Sequence, residues 1–311
     1  MNQVAIILPA FNEASTIAAT IKDFNCHLPK AAIWVINNRS SDTTEACARE
    51  TVMSLGCSGG VINEYRPGKG NAIRRAFTDV DADFYLMADA DLTYPADQAE
   101  ELLNFLISGN FDMVVGDRLG NGCYEKENKR HFHSFGNKLV RFLVNQLFGS
   151  NLNDIMSGYR VFSKRFVKNY AVLVEGFELE TDITLFALDK RFRIAERPII
   201  YKDRPEGSFS KLNTFKDGFK VIKTIFDILR YFRPLFFFSV LSFSFFCFGL
   251  LAGLPVIVEW IETGIILRLP LAILAVGLEV LSVLLLGIGL ILDSIVHANR
   301  ESFERGLVKG I

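Results

Sequence analysis

Asp89 and Asp91 stand one residue apart at the end of the apolar run Phe84-Tyr85-Leu86-Met87-Ala88. Such a run reads as a buried strand, whose end carries two carboxylates to one edge of a sheet, where open α/β folds hold their ligands. The chemistry implied is binding of a hard divalent cation, Mg2+ or Mn2+, which takes one or two carboxylates and completes its shell with substrate phosphates. The same spacing also caps helices, and Pro95 stands where a helix would begin. The surrounding chain has to decide between the two.

The elements that must position this pair alternate in type. Residues 4–8, ended by Pro9, form a continuous apolar run and read as a buried parallel strand. A turn at 11–15 opens a helix to His27, with Ile17 and Ile21 on one face. Further strands are expected at 33–37, 61–62, 84–88 and 113–116, separated by helices at 41–55, 69–77 and 95–107. Strand–helix alternation of this kind implies a mostly parallel sheet covered on both faces, with the polar strand ends forming the site. From 117 to 134 the pattern dissolves into a charged, Gly-containing loop long enough to act as a lid. A helix over 135–148 with Leu139, Phe142, Leu143 and Leu147 in a stripe follows. Beyond it come a strand at 158–162, a helix at 178–190, a strand at 194–201 and a polar loop at 202–213.

Composition divides the chain in two. Overall, 34 basic residues face 35 acidic ones and half the residues are hydrophobic, yet residues 235–258 and 269–292 carry no Lys or Arg. As helices each would run roughly 36 Å, against a hydrocarbon core of about 30 Å. Lys211, Lys216, Lys220, Lys223, Arg230 and Arg233 precede the first span, and Arg300, Arg305 and Lys309 follow the second. That distribution places both termini in the cytoplasm, as for a two-pass protein of a bacterial inner membrane. Phe215, Phe219, Ile222, Phe226 and Leu229 line one helical face with lysines opposite, which suits a helix lying in the interface over 214–233. Glu279, in the middle of the second span, is expected at a helix–helix or subunit contact, or protonated. Met1 to Val4 run straight into a strand, without a signal peptide. The five cysteines follow no metal or redox spacing, and His131-Phe132-His133 lacks partner ligands.

Several segments together resemble glycosyltransferase family 2 and, within it, polyprenyl-phosphate sugar transferases of the dolichyl-phosphate mannose synthase type. Pro9-Ala10-Phe11-Asn12-Glu13 is similar to an opening P-x-Y-N-E, and residues 35–42 to V-V-D-D-G-S-x-D. Gly68-Lys69-Gly70 matches G-K-G, Asp89-Ala90-Asp91 matches D-x-D, and Ser157-Gly158-Tyr159-Arg160 matches S/T-G-F-R. Residues 204–211 follow R-x-x-G-x-S-K with one residue added. Asn37-Asn38 replaces an acidic pair, so that base recognition would rest on amides, which both donate and accept. Thr93 stands where several relatives have Gln.

The resemblance implies a GT-A fold over 1–213, an interfacial helix over 214–233, a transmembrane hairpin over 234–296 and a tail over 297–311. It also implies inverting transfer of one hexose from a nucleotide-diphosphate sugar to undecaprenyl or dolichyl phosphate, with UDP-glucose or UDP-GlcNAc favoured and GDP-mannose open. Asp91 is then the metal ligand, with Asp89 on the ribose or a metal-bound water. Pro9, Phe11, Asn12, Glu13, Asn37, Asn38 and Lys69 lie around the donor. A phosphate monoester is mostly dianionic at neutral pH and needs cations more than a base; Arg160, Arg204, Ser210 and Lys211 are the candidates. Asp154 and Glu180 are the acids to supply activation if a base is required. The alternatives are transfer to a hydroxyl of a glycolipid or polysaccharide, or a silent membrane scaffold. A homo-oligomer is expected, and no nucleic-acid partner.

Overall fold

The computed structural model describes residues 3–120, 131–176, 178–201, 223 and 225–309. It divides into two compact units, 1–214 and 215–311.

The first unit is a mixed α/β layer structure of the GT-A type. In chain order its elements are β1 (Val4–Ala10), α1 (Ile17–His27), β2 (Ala32–Asn37), α2 (Thr44–Leu55), β3 (Gly59–Asn63), α3 (Lys69–Asp79) and β4 (Phe84–Met87). Then come α4 (Ala99–Gly109) after a 3-10 turn, β5 (Met113–Asp117), α5 (His131–Phe148), β6 (Arg160–Ser163), α6 (Lys164–Asn169), α7 (Leu179–Asp189) and β7 (Ile194–Pro198). The seven strands order as β3-β2-β1-β4-β6-β5-β7. All pairings are parallel except those of β6, which runs antiparallel to both β4 and β5. Ile6 pairs with Ile33 on one side and Leu86 on the other. Ile6, Leu8, Ile33, Val35, Leu86 and Val161 are fully buried, with Ile17, Ile21 and Phe24 of α1 laid over them. This is why the central strands read as unbroken apolar runs.

The chain winds outward from β1 to β2 and β3, then returns to place β4 on the other side of β1. The strand order therefore reverses between β1 and β4, and loops leaving their C-terminal ends diverge there to leave a crevice. Asn12 follows β1 and Asp89 follows β4. Because β6 is antiparallel, its N-terminal end, Ser157 to Arg160, lies on that same edge.

Some expected boundaries shift. The α5 helix already includes 131–134, a stretch expected in the loop; residues 121–130 lie outside the described set. The buried face of α5 is Gly136, Val140 and Val144, while Phe142 is 58% exposed. Spacing by four puts those three on one line, and the bulkier stripe lies to the side. The short helix α6 was not anticipated; Ser163 caps it through Phe166 N–H.

In the second unit, α8 (Pro234–Thr263) and α9 (Leu269–Lys309) are long and apolar enough to cross a membrane, with 11% of each apolar window buried. A core helix of a soluble protein would bury far more. The α9 helix does not stop at 292 but continues through the stretch expected as a tail, where Glu301 and Arg305 pair across one turn. The hairpin packs through small residues: Ser242 and Ser282 exchange hydroxyl-to-carbonyl hydrogen bonds, at 2.8 and 3.0 Å. Glu279 lies against Gly249 of α8 with its Oε1 buried and unpartnered among the described residues, so this acid does sit at a helix–helix contact. Of the helix expected in the interface over 214–233, residues 214–222 and 224 lie outside the described set, including Lys216 and Lys220.

Candidate active site

The two aspartates leave β4 in different environments. Asp91 is 3% exposed and accepts from Thr93 twice, at 2.6 Å from the hydroxyl and 3.2 Å from the backbone N–H. Between them Leu92 adopts φ 63°, a left-handed conformation that costs an L-residue about 1–2 kcal/mol. The turn folds Thr93 back onto the carboxylate it holds. Asp89 is more open and is gripped from the side by Lys69, whose Nζ lies 2.5 Å from its Oδ1 and 2.6 Å from Oε1 of Glu180.

Lys69 sits at the first residue of α3, and both of its glycine neighbours are required there. A Cβ at Gly68 or Gly70 would collide with the backbone carbonyls of Glu175 and Val174, and Gly70 N–H donates to Glu175 O. A chain segment thus crosses directly over the start of α3 and presses the lysine inward. Burial works to lower the Lys69 pKa, but Asp89 and Glu180 outweigh it and hold the ammonium well above its ordinary range. Behind the pair, Gly158 approaches so closely that a Cβ would meet Lys69 Nζ, Asp89 Oδ2 and the Tyr94 hydroxyl at 3.1–3.2 Å. Gly158 N–H donates to that hydroxyl at 2.9 Å.

Tyr94 stacks on Tyr159 at 5.1 Å and meets Tyr201 edge-on at 5.5 Å. Burial pushes the phenols of Tyr94 and Tyr201 upward, so both remain protonated hydrogen-bonding groups rather than bases. Arg118, the residue after β5, lies over the Tyr201 ring at 5.6 Å and forks onto Asp154 at 2.7 and 2.9 Å. Burial tends to raise the Asp154 pKa, but the guanidinium outweighs it and holds the carboxyl below its usual range. Arg118, Tyr94 and Tyr201 are not among the site residues expected from the sequence. The signal for Arg118 was an arginine directly following a buried strand.

The structure brings Lys69, Asp89, Asp91 and Glu180 to this edge, with Asp154 held by Arg118. Pro9, Phe11, Asn12 and Glu13 follow along β1 and its loop, where Asn12 Oδ1 accepts from Ser41 N–H at 2.8 Å and Glu13 N–H donates to Thr44. Two expectations change. The amides of Asn37 and Asn38, expected to be open to a base, are engaged within the protein, and both residues are 6% exposed. Asn37 donates to Asn63 and Glu45 and accepts from Ser40 N–H. Asn38 donates to the carbonyls of Glu64 and Arg66 and accepts from Gly68 N–H. Arg160 does not reach the crevice either. It is fully buried, and its guanidinium donates to the carbonyls of Ser157 and Ile155 and to the Thr184 hydroxyl. It braces the loop that carries Gly158 instead of meeting a phosphate. Arg204, Ser210 and Lys211 lie outside the described residues.

Among the described residues no three His, Cys, Asp or Glu side chains group as a metal site. A hard divalent cation that draws its other ligands from phosphate and water needs only one or two carboxylates, and Asp89 and Asp91 are the two acids that follow β4 at this edge.

A family model described as Glycosyl transferase family 2 matches residues 5–171. The chain is 30% identical to Glycosyltransferase AglJ of Haloferax volcanii, covering 97% of this chain and 96% of that protein. It is 24% identical to polyprenol monophosphomannose synthase of Mycolicibacterium smegmatis, over 65% of this chain and 78% of the other. Among solved structures, glucosyl-3-phosphoglycerate synthase of Mycobacterium tuberculosis, crystallised with Mn2+, UDP and phosphoglyceric acid, shares the fold. Its TM-score is 0.56 at 18% identity, covering 74% of this chain and 78% of that one.

Proposed function

Since the chain belongs to glycosyl transferase family 2, we propose that it transfers one hexose from a nucleotide-diphosphate sugar to a polyprenyl phosphate. The observation that carries this reading is the joining of a glycosyltransferase unit to two helices long and apolar enough to cross a membrane. A polyprenyl chain stays in the bilayer, and an enzyme anchored there meets it without extracting it. The polyprenol named for the mycobacterial relative supports the same acceptor class. The Lys and Arg residues flanking the spans support cytoplasmic termini.

In this reading Asp89 and Asp91 hold Mg2+ or Mn2+, which when bound neutralises charge on the departing diphosphate. Thr93 fixes the rotamer of Asp91, and Lys69 fixes that of Asp89 while balancing the negative charge of Glu180. Asp154, held below its usual range by Arg118, is a poor base, and Glu180 is ion-paired with Lys69, which favours an acceptor that arrives already ionised. A phosphate monoester does so at neutral pH, its second pKa being about 6. Arg118, paired with Asp154 on this edge, is a candidate to receive it together with Arg204, Ser210 and Lys211. Attack from the face opposite the leaving diphosphate inverts the anomeric centre.

The test is transfer from radiolabelled UDP- and GDP-sugars to undecaprenyl phosphate by the full chain in detergent, with Mn2+ or chelator, beside Asp91→Asn. Label entering the lipid phase, lost with chelator and in Asp91→Asn, is expected. Label passing only to hydroxyls of a glycolipid or polysaccharide would overturn the phosphate acceptor.

A further inference from the structure

Arg39, in the loop after β2, adopts φ 58° and is exposed. That left-handed conformation is one a glycine takes without strain and a long β-methylene side chain resists. No hydrogen bond or ion pair within the described residues repays it. The loop that carries it is nonetheless tightly held at the crevice. Asn12 N–H donates to Ser40 Oγ at 3.0 Å, Ser41 N–H to Asn12 Oδ1 at 2.8 Å, and Gly68 N–H to Asn38 Oδ1 at 2.8 Å. Loops after β1, β2 and β3 are thereby joined, and Arg39 projects from their junction. The amides of Asn37 and Asn38 beside it are buried and already engaged within the protein. Exposed on this rim are Arg39, Asn12 and Phe11, the last 47% exposed on the neighbouring loop; of these Arg39 alone carries a charge.

From this we infer that Arg39 reads the nucleoside of the donor. The inference rests on the nucleotide-sugar reading above and deepens it. Asp89 and Asp91 follow β4, and β1 separates β4 from β2; two strand spacings put the β2 loop about 10 Å from the diphosphate position, a nucleoside's length away. A guanidinium has five donors and no acceptor. It therefore selects a base edge that presents acceptors, such as O4 of uracil or O6 and N7 of guanine, over the amino groups of cytosine or adenine.

The experiment measures binding of UDP, GDP, CDP, ADP and pyrophosphate, each with Mn2+, to the full chain in detergent, for the wild type, Arg39→Gly and Arg39→Lys. The wild type is expected to prefer UDP or GDP. Arg39→Gly should weaken that nucleotide roughly tenfold and narrow its margin over CDP and ADP. It should leave pyrophosphate affinity unchanged and not lower the unfolding temperature. Arg39→Lys, keeping the charge without the fork, should fall between. Unchanged affinity and preference in Arg39→Gly would overturn this inference alone, as would an equal loss of pyrophosphate. A wild type that binds no nucleoside diphosphate would overturn it together with the donor reading.

Discussion

Replacing Lys69 with Met removes the one cation that separates Asp89 from Glu180. At an effective dielectric of about 20, charge pairs at the observed 2.5 and 2.6 Å are each worth roughly 6–7 kcal/mol before desolvation. Burying the ammonium offsets most of this. The net cost of leaving buried charges unpaired is therefore expected at about 3–5 kcal/mol, which for a domain of this size lowers the unfolding temperature by roughly 6–20 °C. Because Asp89 and Glu180 raise the Lys69 pKa, its contribution is fully present below the ordinary lysine value of about 10.4 and is lost only as pH rises through the higher folded value. A measurement at pH 7.5 captures all of it. The decisive assay is a double-mutant cycle by thermal unfolding of the full chain in detergent, with Glu180→Gln. In the wild type Glu180→Gln should lower the midpoint, since it removes a partner of the lysine. In Lys69→Met the same substitution should raise it, since it removes an uncompensated charge. An equal drop in both backgrounds would refute the electrostatic account of this triad.

Arg160→Met, which removes the guanidinium's hydrogen bonds to the carbonyls of Ser157 and Ile155 and to the Thr184 hydroxyl, is expected to cost about 2–4 kcal/mol. Arg160→Lys should not restore it, having lost the fork; a fully stable Arg160→Met by thermal unfolding would contradict the bracing role. Hydrogen bonds from Arg66, stronger than the opposing effect of burial, hold the Glu64 carboxyl down at about 2. A depressed carboxyl contributes stability above its unfolded value and loses it as pH falls through the folded one, so Glu64→Gln should flatten the stability profile between about pH 4.5 and 2. A profile as steep as that of the wild type would show the pair to be solvated in solution.

Much of this site was legible because its signals are local. An apolar run followed by Asp-x-Asp, two glycines around a lysine, and a Pro-x-x-Asn-Glu turn after the first strand each record backbone geometry or ligand chemistry within a few residues. Which strands adjoin is not local. The antiparallel course of β6 follows from pairing with β4 and β5, and it carries Gly158 up against Lys69 and Asp89. From sequence the segment 157–160 read as a place where arginine meets phosphate. Packing instead turned the guanidinium inward, because its donors satisfy the carbonyls of a buried loop that water does not reach.

The sequence by itself determined the α/β class, the order of its elements, the two apolar spans and the pair of carboxylates, since periodicity and composition encode which faces must leave water. Only the tertiary structure decided partnership. Asn37 and Asn38 look like ligand-binding amides until the loops that close over them are in place. Lys69 reads from the sequence as a residue around the donor, and only packing shows that Asp89 and Glu180, 20 and 111 residues away in the chain, meet at its ammonium. A side chain's identity sets what it can bind, whereas long-range packing sets what is within its reach. Arg39 stands at the opposite extreme: packing gave the guanidinium no partner among the described residues.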